Sequence, residues 1–386
     1  MAGATVPAAG RAAGLLGRID GRKLGLALAA PLLAFAVAGV VTSLVLLAAG
    51  HDPVDAFRQM VDFGKQPDSI VNILNKSTSY YLAAVAVAIG FRMNLFNIGV
   101  DGQYRIAAVV AAVVGAAVTL PPVLHVLLIV AVAVAVGAAW AGIAGLLKVR
   151  RGVSEVISTI MLNFIAGSII SWMVNEKRFG ASVNGVVATD QIPASGWFPG
   201  FQLEGGQVYG FIVVAALVGA LYWFVLGRTR FGFDLRATGL SEPAAVASGV
   251  GVKRMVLTSM LLSGGVAGLV GMPLLLGDSH SYGQNFPIGI GFTGIAIALL
   301  GRNHPIGMAL AALLWSFLDV SNIILDLASI PKEIVVIMQG TIVLAVVVAY
   351  EVTRRAGVAA EQRRVAAELT PAGPAAGPAA STAGAR

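Results

Sequence analysis

The stretch FRMNLFNIGVDGQYR runs from Phe91 to Arg105. It carries two arginines, two asparagines, an aspartate, a glutamine and two glycines in the middle of a long apolar run. Glycine and asparagine weaken a helix, and asparagine offers the backbone competing hydrogen bonds. Asn94, Asn97, Gly99 and Gly102 should therefore interrupt the helix that the flanking apolar residues favour. In a bilayer such a break is tolerated where it is buried in protein or lines a water-filled cavity. Two readings of the stretch stand. It is a broken helix beside a solute path, or a tight inner turn whose Arg92 and Arg105 reach out to lipid headgroups.

The rest of the chain supports a membrane setting. Of 386 residues, 57% are hydrophobic and only 12% are charged, with a mean hydropathy of +0.85. A soluble domain is roughly 25% charged. The apolar residues fall in ten blocks, at about 24–49, 79–97, 99–119, 122–147, 153–175, 208–227, 255–277, 287–301, 305–326 and 333–350. Most approach the ~20 residues needed to cross a bilayer as helix. The eighth is short and reads as a bent or re-entrant piece. The expected fold class is an all-α membrane protein with about ten transmembrane helices. Leu24–Ala49 reads as a retained first span, because no small-residue cleavage site follows a short apolar core.

Twenty of the 26 basic residues fall on one side of these spans. That bias places both termini in the cytoplasm. Residues 1–23 and 351–386 are Ala-, Gly- and Pro-rich and lack the apolar content for a core, so disordered cytoplasmic ends flank a transmembrane domain at 24–350. The loops 50–78 and 176–207 fall outside the cell and should pack as short helices or turns. The net charge of +7 matches basic inner loops and gives no reason to expect nucleic acid.

Several chemistries are excluded by residue type. There is no cysteine, hence no thiol nucleophile and no cysteine metal site. His51, His125, His280 and His304 show no ligand spacing, so neither a metal site nor a catalytic set is expected. GIGFTG at Gly289–Gly294 has the dinucleotide spacing, but no strand and βαβ unit surround it. Glycines for close helix packing explain it better. No phosphate-binding G-x-x-x-x-G-K-[ST] occurs, so the chain does not hydrolyse ATP itself. Asn75-Lys76-Ser77 is a formal glycosylation sequon, of a length that arises by chance.

Polar residues inside spans are costly and tend to face protein or water. Asp319 and Asn322 share one helix face at i, i+3, and Asn163, Thr293 and Gln339 sit in other spans. Each is a candidate for the solute path or for a bond between helices. Phe96, Phe164, Phe292 and Trp315 lie near them. The inner loop 228–254 is too long for a simple turn. Its SEPAAVASG has Ser241 as N-cap, Pro243 in the first turn and Gly249 and Gly251 at the end, which predicts a short helix within 237–251. Alone it is too short to be stable, so it should dock on something; the other reading is a plain amphipathic loop helix on the lipid surface.

Four stretches then carry a resemblance: FRMNLFNIGVDGQ, SEVISTIMLNFIA (Ser154–Ala166), ATGLSEPAAVASGVGVKR (Ala237–Arg254) and GIAIALLGRNHPIG (Gly294–Gly307). Over roughly residues 25–350 the chain resembles permease subunits of bacterial ABC importers. The nearest branch is that of the simple-sugar and purine-nucleoside permeases, related to the ribose and branched-chain amino-acid permeases. The resemblance implies a type II importer permease fold and a bacterial cell-membrane location. It implies that Gly239, Ser241, Glu242, Ala244, Ala245, Ser248 and Gly249 belong to a coupling helix docking on an ATP-binding subunit. Asn97, Asp101 and Gln103 fall in the NIGVDGQ form of the nucleoside branch, which adds them to the candidate path. It further implies a second permease, identical or paralogous, an extracytoplasmic solute-binding lipoprotein, surrounding lipid, and no cofactor on this chain. A simple-sugar importer permease remains the alternative substrate reading. An ion-coupled carrier is the rival of another class, although no inverted repeat and few membrane carboxylates support it.

Overall fold

The structure is a computed structural model, and it describes residues 36–183, 185–331 and 333–369. Its elements are α1 (Ala36–Ala48), then α2 (Pro53–Gly64), α3 (Pro67–Phe91), α4 (Val100–Ala117), α5 (Pro122–Arg151) and α6 (Glu155–Met173). Two hairpins follow, β1 (Gly180–Val183) with β2 (Val186–Thr189), and β3 (Phe201–Leu203) with β4 (Gly206–Val208). Helices return with α7 (Phe211–Arg228), α8 (Arg230–Leu240), α9 (Glu242–Ala247), α10 (Val252–Gly268) and the short α11 (Met272–Leu274). A π turn at Leu275–Ser279 precedes α12 (Ile290–Leu300), α13 (Pro305–Leu327) and α14 (Glu333–Leu369).

The all-α reading holds. Among the described residues, six helices are long and apolar enough to cross a membrane: α4, α5, α6, α7, the run Val252–Ser279 and α13. The pair α1–α2, bent by 115°, would make a seventh. Length and composition thus give six or seven spans among the described residues, and the expected count of ten is not confirmed. The first expected span begins at residue 24, and its part before Ala36 lies outside the described residues. α12 has 11 residues and is the short piece expected near 287–301. The boundary expected at 350 falls inside α14, which runs on to Leu369. Glu351–Leu369 is rich in Ala, Glu and Arg, all good helix formers, and an i, i+4 pair joins Glu351 to Arg355.

Thr42–Val343 form one compact unit, and Met1–Val41 with Leu344–Arg386 are grouped in a second, described only through the ends of α1 and α14. In the first unit α3 is the central helix, with Leu82–Ala88 fully buried and α7, α10, α12 and α13 packed around it. Asn75 and Ser79 of α3 are buried among these helices, while Asn72 and Lys76 remain exposed. α3 starts at Pro67 rather than near 79, so polar residues expected in an outer loop form its first turns.

Small residues set the close approaches. A Cβ on Gly137 of α5 would overlap the Gly264 carbonyl of α10, and one on Gly268 of α10 would overlap the Ala133 carbonyl of α5. A Cβ on Gly294 of α12 would lie only 2.8 Å from the Ala83 side chain of α3. This is the small-residue packing that membrane helices use in place of a hydrophobic drive, and it accounts for part of the GIGFTG glycines.

Candidate functional site: a polar cavity, a pinned helix break and a short exposed helix

The break between α3 and α4 is where the opening stretch predicted it, at Arg92–Gly99. Asn94 sits there in the left-handed region, φ 58°. Its polar side chains are spent on holding the break together. Asn97, 1% exposed, donates from Nδ2 to Gln103 Oε1 at 3.0 Å and to Ser263 Oγ at 2.8 Å. Its Oδ1 accepts from the Gly99 N–H at 3.0 Å and from Gln103 Nε2 at 2.9 Å. Ser263 in turn donates to the Ala86 carbonyl. One amide therefore ties α3, the break, α4 and α10 into a knot.

Asn163 of α6 does the same from the other side. It accepts from the Gly102 N–H at 2.9 Å and donates to the Ile98 carbonyl at 3.0 Å. Gly102 is required for this approach, because a Cβ would sit 2.7 Å from Asn163 Oδ1. Asp101 accepts from the Gly289 N–H at 2.7 Å, with Arg105 Nη1 3.8 Å from its other oxygen. Gly289 is the left-handed residue, φ 92°, that opens α12. Asp101 thus anchors the short helix to the break. Of the two arginines in the stretch, Arg92 donates to the Asn303 carbonyl at 2.8 Å, so neither it nor Arg105 serves only as a lipid anchor.

The cavity lies elsewhere, between α3, α12, α13 and the Gly271–Leu274 and Phe286–Ile290 segments, with a volume of about 500 Å³. Thr293 and Asp319 line it. The other expected path residues do not. Asn97, Asp101, Gln103 and Asn163 are in the knot. Asn322 on α13 and Gln339 on α14 each keep a buried atom, Oδ1 and Nε2, without a hydrogen-bond partner, and neither is in the cavity wall. The wall instead adds Asn72, Lys76, Ser79 and Tyr80 from one face of α3, with Tyr209 and Phe286. The signal for that face was present: positions 72, 76 and 79 recur at helical spacing. It was hidden because the polar residues read as an outer loop. Asn75 also lines the cavity, but its amide is committed to the Gln207 carbonyl and the Tyr209 N–H, which gives the sequon asparagine a packing role. The rings in the wall are Tyr80, Tyr209 and Phe286. Phe96, Phe164 and Phe292 are exposed, and none of them, nor Trp315, faces the cavity.

The short helix expected within 237–251 is α9. Ser241 caps it, accepting from the Ala244 N–H at 3.4 Å, and Ser248 closes it onto the Ala244 carbonyl at 3.0 Å. Gly249 ends it at φ 81°. Ala245 is buried, while Glu242, Ala244, Ser248 and Gly249 are exposed. Leu240, 88% exposed, and Val246 stand out beside them. Gly239 faces inward. A Cβ there would lie 2.8 Å from the Arg92 carbonyl oxygen and 2.9 Å from the Met93 Cα. A second thread links the same region: Lys148 pairs with Glu155 at 2.6 Å, and Glu155 accepts from the Phe96 N–H at 3.5 Å. Lys148 also lines a groove with Glu242, Lys253 and Arg254.

The sequence pattern of the branched-chain amino acid transport system / permease component family matches residues 69–347, the segment that holds the knot, the cavity and α9. The chain belongs to that family. As a permease it is 33% identical to the guanosine ABC transporter permease protein of Bacillus subtilis, over 83% of this chain and 93% of that one. It is 31% identical to the glucose ABC transporter permease protein of Haloferax volcanii, over 88% and 92%. It is 29% identical to the nucleoside ABC transporter permease protein of Lactococcus lactis, over 83% and 90%. The permease is a multi-pass membrane protein and a transport component. That family leaves the ion-coupled carrier reading without support.

Proposed function

We propose that this permease forms the translocation path of an ATP-driven importer for nucleosides in a bacterial cell membrane, with both termini cytoplasmic. The observation that carries the reading is the match, across nearly the full length of both chains, to permeases whose names specify guanosine and nucleosides. The cavity agrees in chemistry. It joins amide and hydroxyl groups (Asn72, Ser79, Thr293) to the rings of Tyr80, Tyr209 and Phe286, and its volume of about 500 Å³ is in the range of small-molecule sites.

An ATP-binding subunit supplies the energy and docks on the exposed face of Glu242, Ala244, Ser248 and Gly249. A second permease, identical or paralogous, completes the path, and an extracytoplasmic binding lipoprotein delivers solute. Closure of the ATPase pair pushes α8–α9. Gly239 passes the push to Arg92–Met93, and the knot carries it to α4, α10 and α12 as rigid elements. ATP drives the cycle because it binds one arrangement better than the other. No bond in the solute is made or broken, and this chain needs no cofactor.

A sugar importer is the second reading, favoured by the 31% identity to the glucose permease. Uptake of labelled guanosine, adenosine and glucose by cells lacking the chain, and by cells in which it is restored, separates the two. Loss and recovery of nucleoside uptake supports the proposal. Loss and recovery of glucose uptake alone replaces it with the sugar reading.

A further inference from the structure

Among the lining residues of the polar cavity only two carry formal charge, Lys76 and Asp319. They face each other across α3 and α13, with Lys76 Nζ 3.0 Å from Asp319 Oδ2. The Tyr80 hydroxyl donates to the same oxygen at 2.7 Å. Both of these bonds fall on Oδ2, and among the described residues none reaches Asp319 Oδ1. The described cavity wall is therefore neutral in sum, leaves Asp319 Oδ1 open as an acceptor, and otherwise joins amides, hydroxyls and rings to aliphatic residues such as Val270, Leu274 and Ile290.

We infer that the Lys76–Asp319 pair is the charge filter of this permease: it holds the cavity at zero net charge, so that uncharged polar solutes are accepted and solutes with fixed charge are disfavoured. The inference rests on the reading that this cavity lies on the solute path. The family is described by branched-chain amino acids, which are zwitterions. A site for those needs a cation for the carboxylate and an anion for the ammonium. Here the available cation and anion satisfy each other instead. Admitting a zwitterion would require breaking this 3.0 Å pair and matching both of its charges to the solute instead. A solute hydroxyl or amino group can still donate to Asp319 Oδ1 without disturbing it. Specificity thus includes rejection as well as attraction.

The absence of cysteine provides a direct test in the full chain in its membrane. Thr293→Cys places one thiol in the cavity wall. Its reaction rates with cationic, anionic and neutral methanethiosulfonates, each divided by the rate with a free thiol, report the local charge. With the pair intact the cationic and anionic rates should be similar. Lys76→Gln should favour the cationic reagent by about tenfold, Asp319→Asn the anionic one by a similar factor, because like charge is rejected and opposite charge attracted. Lys76→Gln combined with Asp319→Asn should restore parity, and the exchange Lys76→Asp with Asp319→Lys should keep it. Ser79→Cys repeats the test from α3. Ratios that do not move in the single variants overturn the filter. A thiol that no reagent reaches at either position overturns the reading of the cavity as a path. Neither result depends on which solute is carried.

Discussion

Gly239 of α8 lies in backbone contact with Arg92 at the α3–α4 break, with 2.8 Å between the Arg92 carbonyl oxygen and the place a Cβ would take. The α8–α9 segment and the helix break are thus in direct contact. Any side chain at 239 must push α8 away from the break. Gly239→Leu is expected to cost about 1–3 kcal/mol by overpacking, and to reduce uptake further than its loss of protein explains. Gly239→Ala should do the same to a smaller degree. Uptake normalised to membrane abundance checks this. Normal uptake with leucine would remove this contact from the coupling route.

Glu242 is exposed at the start of α9, beside Lys253 and Arg254 in one groove. Glu242→Arg reverses the charge of the proposed docking face. The expected result is ATP hydrolysis by the partner subunit without solute uptake. Parallel assays of phosphate release and uptake in the assembled transporter check it, and unaltered uptake would count against the docking assignment.

The amide knot predicts non-additive losses. Asn97→Ala strands the buried Gln103 amide and the Gly99 N–H, and an unsatisfied buried polar group costs roughly 1–3 kcal/mol. Gln103→Ala removes part of the same network. The two together should cost clearly less than the sum of the single effects, as residues in one network do. Thermal stability of the detergent-purified chain across the four-member cycle measures this. Strict additivity would show that the two amides act separately.

His280 follows the π turn and stacks on Trp197, ring centroids 3.9 Å apart and planes at 7°. Burial lowers its pKa below the usual 6.5, more than the nearby Asp278 raises it. The native state therefore prefers the neutral ring. Its contribution is complete above about pH 6.5, the value of the unfolded chain, and declines as pH falls below it, where the unfolded chain binds the extra proton. Acidification should loosen the packing of Pro193–Trp197 on this segment and change indole fluorescence. In His280→Gln that pH dependence should vanish. A profile that survives the substitution would assign it to another group.

The sequence made the membrane class, most helix positions and the break legible, because apolar length and clustered helix-weakening residues are one-dimensional signals. It also located α9 to within a few residues from Ser241, Pro243 and Gly249. The cavity was only partly legible. Thr293 and Asp319 stood out as polar residues in apolar spans. Lys76 and Tyr80 did not, because the polar start of α3 reads as an outer loop and only the fold shows it as the first turns of a long helix. Asn97 and Gln103 show the opposite case. Their composition marks a special place, but only geometry reveals that their hydrogen bonds are used up within the protein. The end of α14 escaped because an Ala-rich tail and an Ala-rich helix share a composition.

The central claim is that solute crosses through the Lys76–Asp319 cavity. Thr293→Trp fills that cavity from α12. Uptake of labelled guanosine, in cells where this variant reaches the membrane at the abundance of the unaltered chain, is the most direct measurement. The account predicts uptake at least roughly tenfold lower, since a filled path leaves no room for a solute-sized ligand. Unreduced guanosine uptake at equal abundance would contradict it and place the path elsewhere.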